Sequence, residues 1–160
     1  MEVTELDHIL AEHAKWVQAP DTGARANLQG ADLRHADLQY ADLRDAKLWR
    51  ANLQGANLRD ANIWRADLRR ADLQGTSLQG ANLWHANLWH ADLRHADLQG
   101  ADLRDADLQG ADLQDADLKD ADLKGARVDP ETMTRLILAG VDTSEVEVSP
   151  PNLDISDKMR

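Results

Sequence analysis

Ala26-Asn27-Leu28-Gln29-Gly30, Ala31-Asp32-Leu33-Arg34-His35 and Ala36-Asp37-Leu38-Gln39-Tyr40 are three successive copies of one five-residue phrase. The phrase runs on without an insertion to Ala121-Asp122-Leu123-Lys124-Gly125, twenty units in all. Its centre is Leu in every unit but one, where Ile63 stands. Two residues before the centre is Ala, except at Thr76. The residue just before the centre is Asp or Asn, except at Lys47 and Ser77. A partial unit, Ala126-Arg127-Val128, closes the run.

A period of five fits neither regular element. Side chains on a strand alternate faces, and five is odd, so successive leucines would point opposite ways. On an α-helix five residues advance about 500°, which winds the leucines around the cylinder instead of lining them up. A chain that turns a corner in every unit resets the facing, and then each Leu and Ala can point to one axis. The composition agrees with a narrow, regular interior. The apolar residues are mostly Leu and Ala, with no Phe and one Tyr.

The motif resembles the pentapeptide-repeat family. That resemblance implies an all-β solenoid, a right-handed quadrilateral β-helix with four units per coil. Twenty units then make about five coils, a stack about 24 Å tall at roughly 4.8 Å per rung. Leu fills the interior, Ala lets the backbone turn, and Asp or Asn bonds nearby backbone amides at the corners.

A solenoid exposes its core at both ends, and the flanks read as covers. Thr4 to Val17 predicts a helix with Thr4 as N-cap and Leu6, Ile9, Leu10, His13 and Val17 on one face. Asp129-Pro130 opens a second helix, with Met133, Leu136 and Ile137 as its apolar stripe and Gly140 as its stop. The expected organisation is a capping helix over residues 1–20, the β-helix over 21–128, a second cap over 129–141, and an extended or disordered tail over 142–160. The apolar stripe of the second helix could instead pair two copies, so the chain reads as a monomer or as a homodimer through a terminal helix.

With no Cys, disulfides and thiolate metal sites are excluded. Residues 1–20 lack the apolar run of a signal peptide, and no stretch approaches a membrane span, so a cytoplasmic protein is expected. The net charge of −11 argues against direct binding to nucleic acid or anionic membrane. The charge is uneven. Residues 46–90 hold six Lys/Arg and three Asp, while residues 91–125 hold four Lys/Arg and ten Asp.

If four units make a coil, residues twenty apart stack in columns. One outward column is Gln29, Trp49, Arg69, Trp89, Gln109, and its neighbour is Arg44, Trp64, Trp84, Arg104, Lys124. Four of the five tryptophans gather there, with Arg50, Arg70 and His90 beside the first column and Arg65 and His85 beside the second. Outward Trp with Arg is the composition of interface anchors. It also suits rung-to-rung stacking, with Trp64 over Trp84 and Arg69 between Trp49 and Trp89. The candidate protein-binding patch is Trp49, Arg50, Trp64, Arg65, Arg69, Arg70, Trp84, His85, Trp89 and His90.

No nucleophile has a base beside it, no Gly-rich loop could cradle phosphate, and a filled solenoid has no natural cleft. The sequence therefore predicts no enzyme, cofactor or metal. His85, His90 and His95 sit at successive corners and point apart, not at one ion. The leading expectation is a rigid protein-binding or scaffold module. The alternative comes from the resemblance: acidic, quinolone-resistance-type members mimic DNA and inhibit or protect a type II topoisomerase. The departures here are the absence of Phe centres and of projecting loops. Near-perfect repetition also fits a largely structural, consensus-like chain.

Overall fold

A computed structural model describes residues 3–150; Met1, Glu2 and 151–160, the end of the expected tail, lie outside the described residues. Its repeat region is a β-helical solenoid in which parallel bridges join residues twenty apart, from Asn27↔Lys47 through Asp107↔Arg127. The chain therefore returns over itself every four units.

The hydrogen bonds of one unit explain why the phrase has this wording. In the unit 81–85, the Asn82 N–H donates up to Ala61 O at 2.9 Å, and the Leu83 N–H donates down to Asp102 O at 2.7 Å. The His85 N–H donates to Arg104 O at 2.9 Å, and the next Ala N–H, at Ala86, closes a tight turn onto Leu83 O at 2.9 Å. That leaves the fourth amide, Trp84 N–H, with no carbonyl. The Asn82 side chain accepts it at 3.0 Å. The same bond recurs in every unit except 46–50 and 76–80, where Lys47 and Ser77 replace the acceptor. Asp or Asn is thus the only short side chain in the phrase that completes its backbone bonding. The fifth residue closes the corner in the left-handed region, with φ between 54° and 59° at every non-glycine.

Inside, Leu and Ala form one continuous core, and Leu43, Leu53, Ile63, Leu68 and Leu73 are wholly buried. Each buried Leu contributes about 2 kcal/mol of transfer free energy. Thr76 breaks the Ala column, and its hydroxyl is satisfied by donating to Leu53 O at 2.8 Å.

At the N-terminal end, helix α1 (Val3–Gln18) lays Leu6, Ile9 and Leu10 on the core. Val3 is already helical, so Thr4 lies within the helix and is not its N-cap. His13 is fully buried, and its Nδ1 accepts the Ala26 N–H at 3.1 Å. At the other end β1 (Arg127–Val128) leads to α2 (Pro130–Leu138). Asp129 caps α2 by accepting from the amides of Glu131 and Thr132, both at 2.9 Å. Leu136 and Thr132 are buried, and Arg135 pairs with Asp112. The chain then re-enters the stack as β2 (Glu147–Val148), parallel to β1 in the register Arg127↔Glu147 and Val128↔Val148. The spacing is again twenty, although the phrase has ended.

Candidate functional site

Trp49, Trp64, Trp84 and Trp89 are each the fourth residue of a unit, and the fifth residue of the same unit lies against the ring. The Arg50 guanidinium carbon is 4.8 Å from the Trp49 centroid, and that of Arg65 is 5.0 Å from Trp64. The His85 ring stacks on Trp84 at 5.0 Å and 23°, and His90 meets Trp89 edge-on at 4.1 Å and 78°. All four partners have left-handed backbones, with φ from 54° to 57°.

Contacts between rungs add to these. Trp64 and Trp84 have centroids 6.3 Å apart and a tilt of 40°. Arg70 lies 5.1 Å from the Trp89 centroid and Arg104 5.4 Å from Trp84. Each cation–π contact contributes about 0.5–1 kcal/mol at such exposed places. The rings are pinned on several sides and keep little side-chain freedom. Trp84 is the most open, at 37% exposure; its Nε1–H donates to Asp105 at 3.0 Å. The Trp64 Nε1–H is buried without a hydrogen-bond partner.

One expected contact is different. Arg69 does not bridge Trp49 and Trp89. Its guanidinium turns back on its own unit and grips Asp67 at 2.6 Å. The physical reason is the two-residue spacing, which offers a bidentate carboxylate at once; Arg34, Arg44, Arg94 and Arg104 do the same with the Asp of their units. Burial pushes the Asp67 carboxyl up, but the Arg69 side chain and amide outweigh it and hold it below the usual carboxylate range. Arg65 pairs with Asp45 at 3.1 Å.

Lys47 is the residue that sequence reasoning left out of the patch. It stands on the side between the two Trp columns, its bridge partner there is Asp67, and it is exposed. Its signal was visible as the break in the Asp/Asn column. Among the described residues, no group of three or more His, Asp or Glu is placed to hold a metal ion. No helix there is long and apolar enough to cross a membrane.

The model of pentapeptide repeats matches residues 24–50, 36–75, 71–110 and 86–125. The chain belongs to the pentapeptide repeat family. Among solved members, the pentapeptide repeat protein Rfr23 from the cyanobacterium Cyanothece 51142 is 27% identical, over 73% of this chain and 97% of that one, with a TM-score of 0.58. The pentapeptide repeat protein alr5209 from Nostoc Pcc 7120 is 39% identical, over 68% and 84%, with a TM-score of 0.52. QnrB1, a plasmid-mediated fluoroquinolone resistance protein, is 20% identical over 71% and 77%, with a TM-score of 0.40, too loose to bear on function. No curated protein matches this chain.

Proposed function

We propose that this pentapeptide-repeat protein is a rigid, non-enzymatic binding module that presents the Trp-bearing corners to a protein partner. On this reading it is a right-handed quadrilateral β-helix of about five coils, with α1 and α2 as its caps. The observation that carries the proposal is the set of four aromatic rings, gathered on two adjacent corner columns and each held by the cationic or imidazole side chain that follows it. Large, rigid, amphipathic side chains with Arg beside them are what binding hot spots use. The test is site-specific photocrosslinking from position 104, on the Trp84 corner, and from position 99, on the neighbouring corner, which carries no Trp. A partner adduct at 104, absent at 99 and lost with Trp64→Gln/Trp84→Gln, supports the proposal. Equal adducts from both positions refute it.

The DNA-mimic reading rests on the ten Asp of residues 91–125. Much of that charge is already engaged. Asp102 pairs with Arg104 at 2.6 Å, Asp107 with Arg127 at 3.0 Å, and Asp112 with Arg135. Asp117 accepts from the Gln99 side chain at 2.6 Å. Titration into a gyrase supercoiling reaction decides it: inhibition at micromolar protein, relieved by neutralising those four aspartates, would put this reading first. Self-pairing through α2 rests on Ile137 and Leu138, which are 57% and 82% exposed. Light scattering would then give a dimer mass that Leu138→Asp halves.

A further inference from the structure

Lys47 occupies its place against a local rule of the fold, and Arg50 stands three residues on in the same unit. Every unit but two uses Asp or Asn to accept its fourth amide; at Lys47 the Trp49 N–H loses that acceptor. Arg50 takes the left-handed corner at φ 56°, as the fifth residue does in every other unit without a glycine. Arg50 also stands one rung from Arg70 in the same column, so two like charges are stacked where opposite ones would stabilise. Lys47 and Arg50 thus both put positive charge beside Trp49.

That charge is not spent inside the chain. Among the described residues, neither Lys47 nor Arg50 makes an ion pair, and the nearest carboxylate in the Lys47 column, Asp67, is gripped by Arg69. In a protein of net charge −11, most other arginines are matched to an Asp. Departures from local consistency are expected where recognition overrides stability.

We infer that Lys47 and Arg50, the latter seated on Trp49, form the anchoring point for an acidic segment of a protein partner, with carboxylates on the two cations. The inference rests on the reading of the Trp corners as a binding surface and names the chemistry of what binds. An acidic peptide fits better than single-stranded nucleic acid. Base stacking needs open ring faces, whereas Trp49, Trp64 and Trp89 are half-buried and covered by their neighbours.

The test uses the double variant Lys47→Asn/Arg50→Gly, which rewrites the unit in the wording of the rest of the repeat. Fluorescence anisotropy follows three labelled probes: a short peptide alternating Glu and Leu, the same peptide with Gln for Glu, and an oligothymidylate. The Glu peptide is expected to bind, more weakly as salt rises, and to lose about tenfold in affinity both in the variant and on replacement by the Gln peptide. The variant is expected to melt at the same temperature as the parent or higher. Gln and Glu peptides binding equally well, at a site that Trp64→Gln/Trp84→Gln abolishes, would keep the binding surface and overturn its acidic specificity. Tighter binding of the oligothymidylate, no binding of the Glu peptide, self-association through this face, or a lower melting temperature in the variant would each overturn the inference.

Discussion

Lowering the pH from 7.5 to 5.5 is expected to loosen α1 from the stack through a single residue, His13. Its ring is fully buried between the helix and the first unit and lies against Trp16 at 5.5 Å. Nδ1 accepts the Ala26 N–H, so the neutral ring carries its proton on Nε2, which is buried without a hydrogen-bond partner. Burial pushes the His13 pKa down; the Asp42 carboxylate and the Arg44 carbonyl oppose this, and the Arg25 and Arg44 charges reinforce it. A second proton would also have to sit on Nδ1, facing a donor. A folded pKa below the unfolded value of about 6.5 means that the stabilisation is complete above that pH. It is lost as the pH falls from there through the folded pKa. The loss is at most about 1.4 kcal/mol for the first unit below 6.5. At this chain length that is a fall in melting temperature of about 3–6 °C. Melting curves of the parent and of His13→Gln at both pH values isolate the effect, because the exposed histidines are common to both. Amide exchange at Ala26 should quicken at pH 5.5 in the parent. Identical pH slopes for the two proteins, with unchanged Ala26 exchange, would refute the reasoning.

Truncating the interior at Leu68→Ala, in mid-stack, should cost about 2–5 kcal/mol in denaturant unfolding, since neighbouring rungs cannot collapse into the space. Ser77→Asn should add the missing acceptor for the Gln79 amide and gain about 1 kcal/mol, read as a higher denaturant midpoint; Asn82→Ala should lose at least as much by orphaning the Trp84 amide. The Arg94 and Arg104 guanidiniums hold Asp92 and Asp102 below the usual carboxylate range. Their stabilisation is therefore present above the unfolded carboxylate pKa and disappears as pH falls below it, and Arg94→Gln/Arg104→Gln should flatten the acid limb of the stability curve.

The five-residue phrase made the architecture legible because each of its positions has one physical duty: small at the turn, amide-accepting before the centre, apolar at the centre. Columns twenty apart followed once four units were taken per coil, and the bridges run in that register. Three things were not legible. The pairing of each Trp with the very next residue depends on the left-handed backbone of Arg50, Arg65, His85 and His90, which the phrase alone does not reveal. Arg69 was assigned to the rings because column position says nothing of an Asp two residues back that binds it first. The last rung was hidden for another reason. Val146-Glu147-Val148 repeats Ala126-Arg127-Val128 at twenty residues, but α2 fills the interval with a different wording.

That interval turns chain length into an angular setting. Nearly every unit puts the same Ala and Leu into the interior, so copying one unit between Ala91 and Gly125 would leave the same side chains at every interior position. It would, however, rotate α2 and β2 by a quarter turn about the axis relative to the Trp corners. Only a gain or loss of four units restores their alignment. Any partner that grips both a Trp corner and the α2 end therefore reads a dihedral angle, and duplications of this gene would be filtered by phase before they were filtered by stability.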